Sequence, residues 1–166
     1  FLADALGMHH VFSPSIEGEN GAYGHALLSR TPFVSTRSLR LPLGRDRLAE
    51  PRSVLVARVR WAERELVVIA THLGLGRNER ERQGGNVLRA CLPPPAEEVP
   101  GVGCGGLNLV LEPPRSSVSP SLLPVRRLDH ILVSAHFEVR AAKILGDSLA
   151  RRASDHLPLA ADLACA

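Results

Sequence analysis

Two β-rich runs, residues 53–60 and 65–71, are separated only by Trp61-Ala62-Glu63-Arg64. That spacing leaves room for a tight turn, so the two runs read as a hairpin. In the second run, Val67-Val68-Ile69-Ala70 is apolar at every position. A strand with one face in water alternates apolar and polar residues, whereas a run that is apolar on both faces belongs inside a sheet covered on both sides. The hairpin therefore sets a central strand that the rest of the chain must flank.

The same patterning places strands at residues 10–16, 23–29, 129–134, 137–144 and 157–162. A charged helical pattern covers residues 77–92, interrupted by Gly84-Gly85 and stopped by Pro93-Pro94-Pro95. Arg80 and Gln83 share a face of that helix and are placed to steady the loop before it. Residues 93–126, rich in Pro, Gly and Ser, read as mostly loop. Strands dominate, with one clear helix and no internal repeat, which argues for α+β rather than a doubly wound fold.

The chain has 166 residues, enough for one domain with its own core. No apolar run approaches the roughly 18 residues of a membrane span, so none is expected. The opening, Phe1 to Met8, reads as the last turns of an amphipathic helix stopped at Gly7. It lacks the basic and apolar regions of a signal peptide. The expectation is a single domain over residues 1–166 whose N-terminal strand or strands are missing.

The net charge of +3 is small, and Lys143 is the only lysine. Arginine suits bidentate phosphate contacts, but a codon bias toward Arg explains the count equally well, and there is no nucleic-acid footprint. Cys91, Cys104 and Cys165 are odd in number and widely spaced. They form neither a zinc knuckle nor a disulfide framework, so reduced thiols in a cytoplasmic protein are expected.

Chemistry concentrates at two C-terminal segments, Arg127-Leu128-Asp129-His130-Ile131-Leu132 and Ser154-Asp155-His156-Leu157-Pro158-Leu159. Each sets polar groups against a short apolar run. An Asp and a His at a strand edge bind a metal ion or handle a phosphate, and a second Asp on a neighbouring strand orients the His through its other ring nitrogen. A purely structural hydrogen bond between Asp129 and His156 accounts for the pattern equally well. His72 stands where the central strand runs out, a place for catalytic side chains or for a structural histidine.

Two other motifs fail on context. Gly101-Val102-Gly103-Cys104-Gly105-Gly106 matches G-x-G-x-x-G, but Pro-rich sequence precedes it and no helix opens after it, so a dinucleotide site is not expected. Ser154-Asp155-His156 holds the residue types of a serine triad, but adjacent residues cannot surround one another as a triad requires.

Taken in order, Tyr23-Gly24-His25-Ala26-Leu27-Leu28-Ser29-Arg30, Glu50-Pro51-Arg52, Thr71-His72-Leu73, Arg80-x-x-Gln83, Gly105-Gly106-Leu107-Asn108, Arg127-Leu128-Asp129-His130-Ile131-Leu132 and Ser154-Asp155-His156 span nearly the whole chain. The ordered set resembles the endonuclease/exonuclease/phosphatase (DNase I-like) superfamily, and within it the bacterial metal-dependent hydrolases. The resemblance implies a four-layer α/β sandwich with two packed mixed β-sheets and an active site at one end of them. It implies a phosphate-ester substrate, whether nucleic acid, phospholipid or small molecule, and Mg²⁺ or Mn²⁺ as cofactor. By motif match, His156 contacts the scissile phosphate and is held by Asp129. Asp155 is a metal ligand, Asn108 positions phosphate and water, and His72 donates to a phosphate oxygen. Arg52 and Tyr23 support the substrate.

The chain departs from the family pattern in places that matter. The family's G-D-[FL]-N stands here as Gly105-Gly106-Leu107-Asn108, so the Asp that orients or deprotonates water is Gly106. The family's early metal-binding Glu would lie upstream of Phe1. The stretch between Asn108 and Asp129 is short, and Tyr-Gly-Asn-Ala has become Tyr23-Gly24-His25-Ala26. Loss of an anchoring carboxylate weakens Mg²⁺ binding, and loss of a general base costs roughly 10²–10⁴-fold in rate. The expectation is a phosphoesterase by ancestry with an impaired or inactive site. The alternative is a non-catalytic remnant that binds a phosphorylated ligand or a protein.

Overall fold

The computed structural model describes residues 1–44, 49–91, 99–107 and 128–166. In chain order its elements are α1 (Leu2–Leu6), β1 (His9–Gly18), β2 (Gly21–Ser29), β3 (Phe33–Arg40), β4 (Ser53–Trp61), β5 (Arg64–His72), α2 (Arg77–Cys91), β6 (Gly101–Gly106), β7 (Asp129–Val133), β8 (Phe137–Ile144), α3 (Ser148–Ala153) and β9 (Leu159–Cys165). Residues β3 to β7 form one five-stranded sheet in the order β3-β4-β5-β6-β7, and β1-β2 and β8-β9 are antiparallel ribbons.

The expected hairpin is present. β4 and β5 pair antiparallel from Val54↔Thr71 to Trp61↔Arg64, leaving a two-residue loop at Ala62-Glu63. Ala62 adopts φ 51°, the left-handed backbone that tight hairpin loops demand. β5 is the central strand that its apolar run demands, antiparallel to β4 on one side and parallel to β6 on the other. Leu41, Val54, Val56, Val67, Ile69 and Leu73 form one buried cluster, with Val87 of α2 packed against it. The opposite face is covered by the β1–β2 ribbon: Ser15 Oγ meets Ser53 Oγ at 2.6 Å, and Ser13 Oγ bonds to Ser38 Oγ. The β8–β9 ribbon is anchored to the hairpin by Trp61 against Phe137, with ring centroids 5.5 Å apart. Packed β layers with few helices make the DNase I-like α/β sandwich.

Two strands escape the sequence reading. β3 is an edge strand, exposed along most of its length, and polar side chains hide its period. β6 lies inside the span read as loop. Four glycines remove its β-propensity, yet it runs between β5 and β7. That pairing also disposes of the G-x-G-x-x-G match, since the motif is a strand. No helix among the described residues is long and apolar enough to cross a membrane.

A buried polar clamp ties α2 to the site. Gln83 is fully buried. Its Oε1 accepts from Gly74 N at 2.8 Å, while its Nε2 donates to Pro42 O at 3.0 Å and to Glu79 Oε1 at 3.1 Å. Arg80 donates from Nη1 to Leu75 O. Both side chains thus hold the loop that follows His72, as their shared face suggests. Gln83→Ala leaves a buried amide N–H and a carbonyl unpaired and is expected to cost about 3 kcal/mol of stability. Urea denaturation followed by circular dichroism measures it.

Candidate active site

Three strand ends meet in register. His72 closes β5 opposite Gly106, which closes β6, and Gly106 pairs in turn with Asp129 at the start of β7. The α3–β9 connection adds Asp155 and His156, and β2 brings Tyr23 and His25 across from the other layer. Together they line a cleft of about 470 Å³. Close backbone approaches set this geometry. At Gly105, with φ +140°, a Cβ would sit 1.8 Å from Thr71 O. At Gly24, between Tyr23 and His25, it would sit 2.0 Å from Ser13 O. Neither position tolerates a side chain without moving a strand.

His156 Nδ1 lies 2.5 Å from Asp129 Oδ2, with both side chains partly exposed. A carboxylate only accepts, so Nδ1 carries the hydrogen, and the lone pair of the neutral ring lies on Nε2. Position 106 adjoins this pair. A Cβ there would stand 3.1 Å from His72 Cδ2 and 3.6 Å from Asp129 Oδ1. A side chain at 106 would enter the row of functional groups, and glycine leaves that space open.

Behind the cleft, Arg52 is 6 % exposed and pairs through Nη2 with Glu50 at 2.9 Å. Among the described residues its buried Nε has no hydrogen-bond partner. The nearby guanidinium acts on two histidines. Burial, and then Arg52, hold the His72 imidazole below its ordinary pKa, with His25 and His156 adding to the effect and Asp129 opposing it. Burial likewise lowers His25, aided by Arg52 and opposed by its hydrogen bond to Ser53. Burial pushes the Cys104 thiol up, so it is a poor nucleophile.

Of the residues singled out from the sequence, Tyr23, His72, Asp129, Asp155 and His156 line the cleft, and Arg52 lies behind it. Asn108 falls outside the described residues. The sequence reading notes His25 as a departure from Tyr-Gly-Asn-Ala but gives it no role, although it stands two residues from Tyr23 on one strand and so shares its face. Among the described residues the carboxylates lining the cleft are Asp129, engaged by His156, and the exposed Asp155. Among the described residues, no group of three or more His, Cys, Asp or Glu side chains is placed to hold a metal ion. Mg²⁺ is held by one or two protein carboxylates with waters completing its octahedron, and among the described residues Asp155 is the cleft carboxylate that His156 does not engage.

Comparison with known proteins assigns the class. The model of the Endonuclease/Exonuclease/phosphatase family matches residues 2–156, and the chain belongs to that family. Solved structures share the fold. An endonuclease/exonuclease/phosphatase from Bacteroides vulgatus superposes with TM-score 0.81 at 15% identity, covering 99% of this chain and 79% of that one. The human Nocturnin catalytic domain with bound sulfate gives 0.73 at 24%, covering 99% and 74%. For the Beutenbergia cavernae family member the values are 0.70 at 21%, and this chain, covered over 99% of its length, spans only 55% of that one. No match was found among curated protein sequences.

The lowered histidines carry a stability consequence. Unfolded, His25 and His72 titrate near 6.5; folded, both titrate lower. The unfolded chain thus binds more protons as pH falls through 6.5, and their contribution to stability, complete above that pH, is lost below it. Urea midpoints measured between pH 8 and 5.5 are expected to fall with pH, and a His25→Gln, His72→Gln double variant is expected to flatten that fall.

Proposed function

We propose that this chain is a phosphoric ester hydrolase whose cleft takes the phosphate group of its substrate. The observation that carries the reading is the Asp129–His156 pair, set at the end of the central sheet beside His72 in a chain of this family. Two relatives of the fold add support: the Nocturnin structure holds a sulfate anion, and a mannosyl-6-phosphatase of Bacteroides thetaiotaomicron shares the architecture at 17% identity and TM-score 0.71.

In this reading Asp129 keeps the His156 hydrogen on Nδ1, so that Nε2 takes a proton from water. The water oxygen bonds to phosphorus, the ester P–O bond breaks, and the departing oxygen leaves with a proton from solvent. His72, whose protonation burial and Arg52 disfavour, has a ring N–H in either protonation state to donate to a phosphoryl oxygen. Asp155 and Asn108 keep the metal-side and phosphate-positioning roles that the family implies. Mg²⁺ or Mn²⁺ enters as the family's cofactor and is supplied in the assay.

The test is hydrolysis of p-nitrophenyl phosphate and bis-p-nitrophenyl phosphate with Mn²⁺, Mg²⁺ or EDTA. His156→Ala is expected to lower kcat/KM by roughly 10²–10⁴-fold with an unchanged circular dichroism spectrum. Turnover indifferent to His156 would contradict the assignment.

Gly106 favours a second reading, a phosphate-binding module without turnover, because β6 presents no side chain between His72 and Asp129. Orthophosphate binding by calorimetry, without hydrolysis of either ester in any metal, identifies it.

A further inference from the structure

We propose that His25, together with His72, makes the cleft select a terminal phosphate, as on a phosphate monoester, over the internal phosphate of a diester. The inference rests on the cleft being a phosphate site and names the class of phosphate it takes.

The position of His25 is fixed on two sides. Gly24 lets β2 approach Ser13 closely, and His25 Nε2 lies 3.1 Å from Ser53 O. That carbonyl also accepts from Thr71 Oγ1 at 3.0 Å. A carbonyl oxygen only accepts, so Nε2 carries the hydrogen and the lone pair of the neutral ring lies on Nδ1. His25 can therefore gain a proton at Nδ1 without breaking its anchor.

A charge inventory of the cleft sets His25 and His72 apart. Facing groups come from every element around it: Tyr23 on β2 itself, Arg52 ahead of β4, His72 at the end of β5, Cys104 on β6, Asp129 at the start of β7, and Asp155 and His156 ahead of β9. Arg52 pairs with Glu50, and His156 with Asp129. No carboxylate is hydrogen-bonded to His25 or His72 among the described residues. Burial and Arg52 oppose protonation of both rings while the cleft is empty.

An entering anion supplies the missing compensation. A phosphate monoester, with a second pKa near 6, carries close to two negative charges at neutral pH. A diester carries one. Two imidazoles that each take up a proton need two charges to balance them, so the monoester satisfies the pair and the diester only half of it. Monoester binding is thus coupled to proton uptake, and the preference grows as pH falls from 8.5 toward 7.

The experiment is isothermal titration calorimetry of phenyl phosphate and diphenyl phosphate at pH 7, in two buffers of different ionisation enthalpy to count protons. The wild-type chain is expected to bind phenyl phosphate at least about tenfold more tightly, the equivalent of one pKa unit, and to take up protons as it does so. His25→Gln keeps an amide N–H to reach Ser53 O and removes the titrating Nδ1. It is expected to lose about tenfold in phenyl phosphate affinity and part of the proton uptake, and to lose less in diphenyl phosphate affinity, so that the monoester-to-diester ratio falls. An unchanged monoester-to-diester ratio in the variant overturns the role of His25, as does a wild type that prefers the diester. If the wild type binds neither compound, the phosphate-site reading itself fails. Should His25→Gln not fold, the wild-type ratio at pH 7 and 8.5 decides, because a ratio independent of pH contradicts the proposal.

Discussion

The approach of β6 to β5 at Gly105 governs what the rest of the molecule can do. There the backbone of one strand passes so near Thr71 that a Cβ would lie 1.8 Å from its carbonyl oxygen. This contact sets the parallel register Thr71↔Gly105 and His72↔Gly106, and the antiparallel step to β7 then puts Asp129 beside Gly106. Register in a sheet moves by whole residues, and a slip of one would turn His72 or Asp129 to the other face. The glycines that make β6 a weak strand by propensity are thus what permits the alignment of the functional groups.

The polar interior serves the same end. Buried serines join the β1–β2 ribbon to the sheet, Gln83 and Glu79 bind the segment after His72 to α2, and Ser53 O receives hydrogen bonds from both His25 and Thr71. Each of these groups has a partner, which offsets the cost of burying it. The result is a cleft whose histidines are positioned by separate layers, with Arg52 buried behind them. Burial and Arg52 disfavour protonation of His25 and His72 in the empty cleft.

The sequence makes the centre of this structure readable and hides its margins. The hairpin and its central strand follow from an apolar run on both faces, and α2 follows from its charged periodicity even through Gly84-Gly85, because Gln83 and Glu79 are held by tertiary contacts. β3 escapes because an exposed edge strand carries no apolar alternation, and β6 because glycines report no propensity while pairing on both sides holds them in a sheet. At the site, Asp129, His156, His72, Asp155 and Tyr23 are legible from ordered motifs. The Asp129–His156 pair, 27 positions apart, is foreseen as well, but the way His72 joins it through Gly106 is not, since that depends on the β5–β6–β7 register. His25 is met in the sequence only as a departure from the family's Tyr-Gly-Asn-Ala and is given no role there, because its part in the cleft comes from neighbours on other elements.

The central claim, that these histidines surround a bound phosphate, is tested most directly by NMR of the imidazole nitrogens in ¹⁵N-histidine-labelled protein during titration with orthophosphate. The seven histidines separate into groups, since His9, His10, His130 and His136 do not line the cleft. The account requires that resonances of His25, His72 and His156 move together along one saturating curve while the other four stay in place. Saturating shifts confined to the histidines outside the cleft, or no shifts at any phosphate concentration, would contradict it.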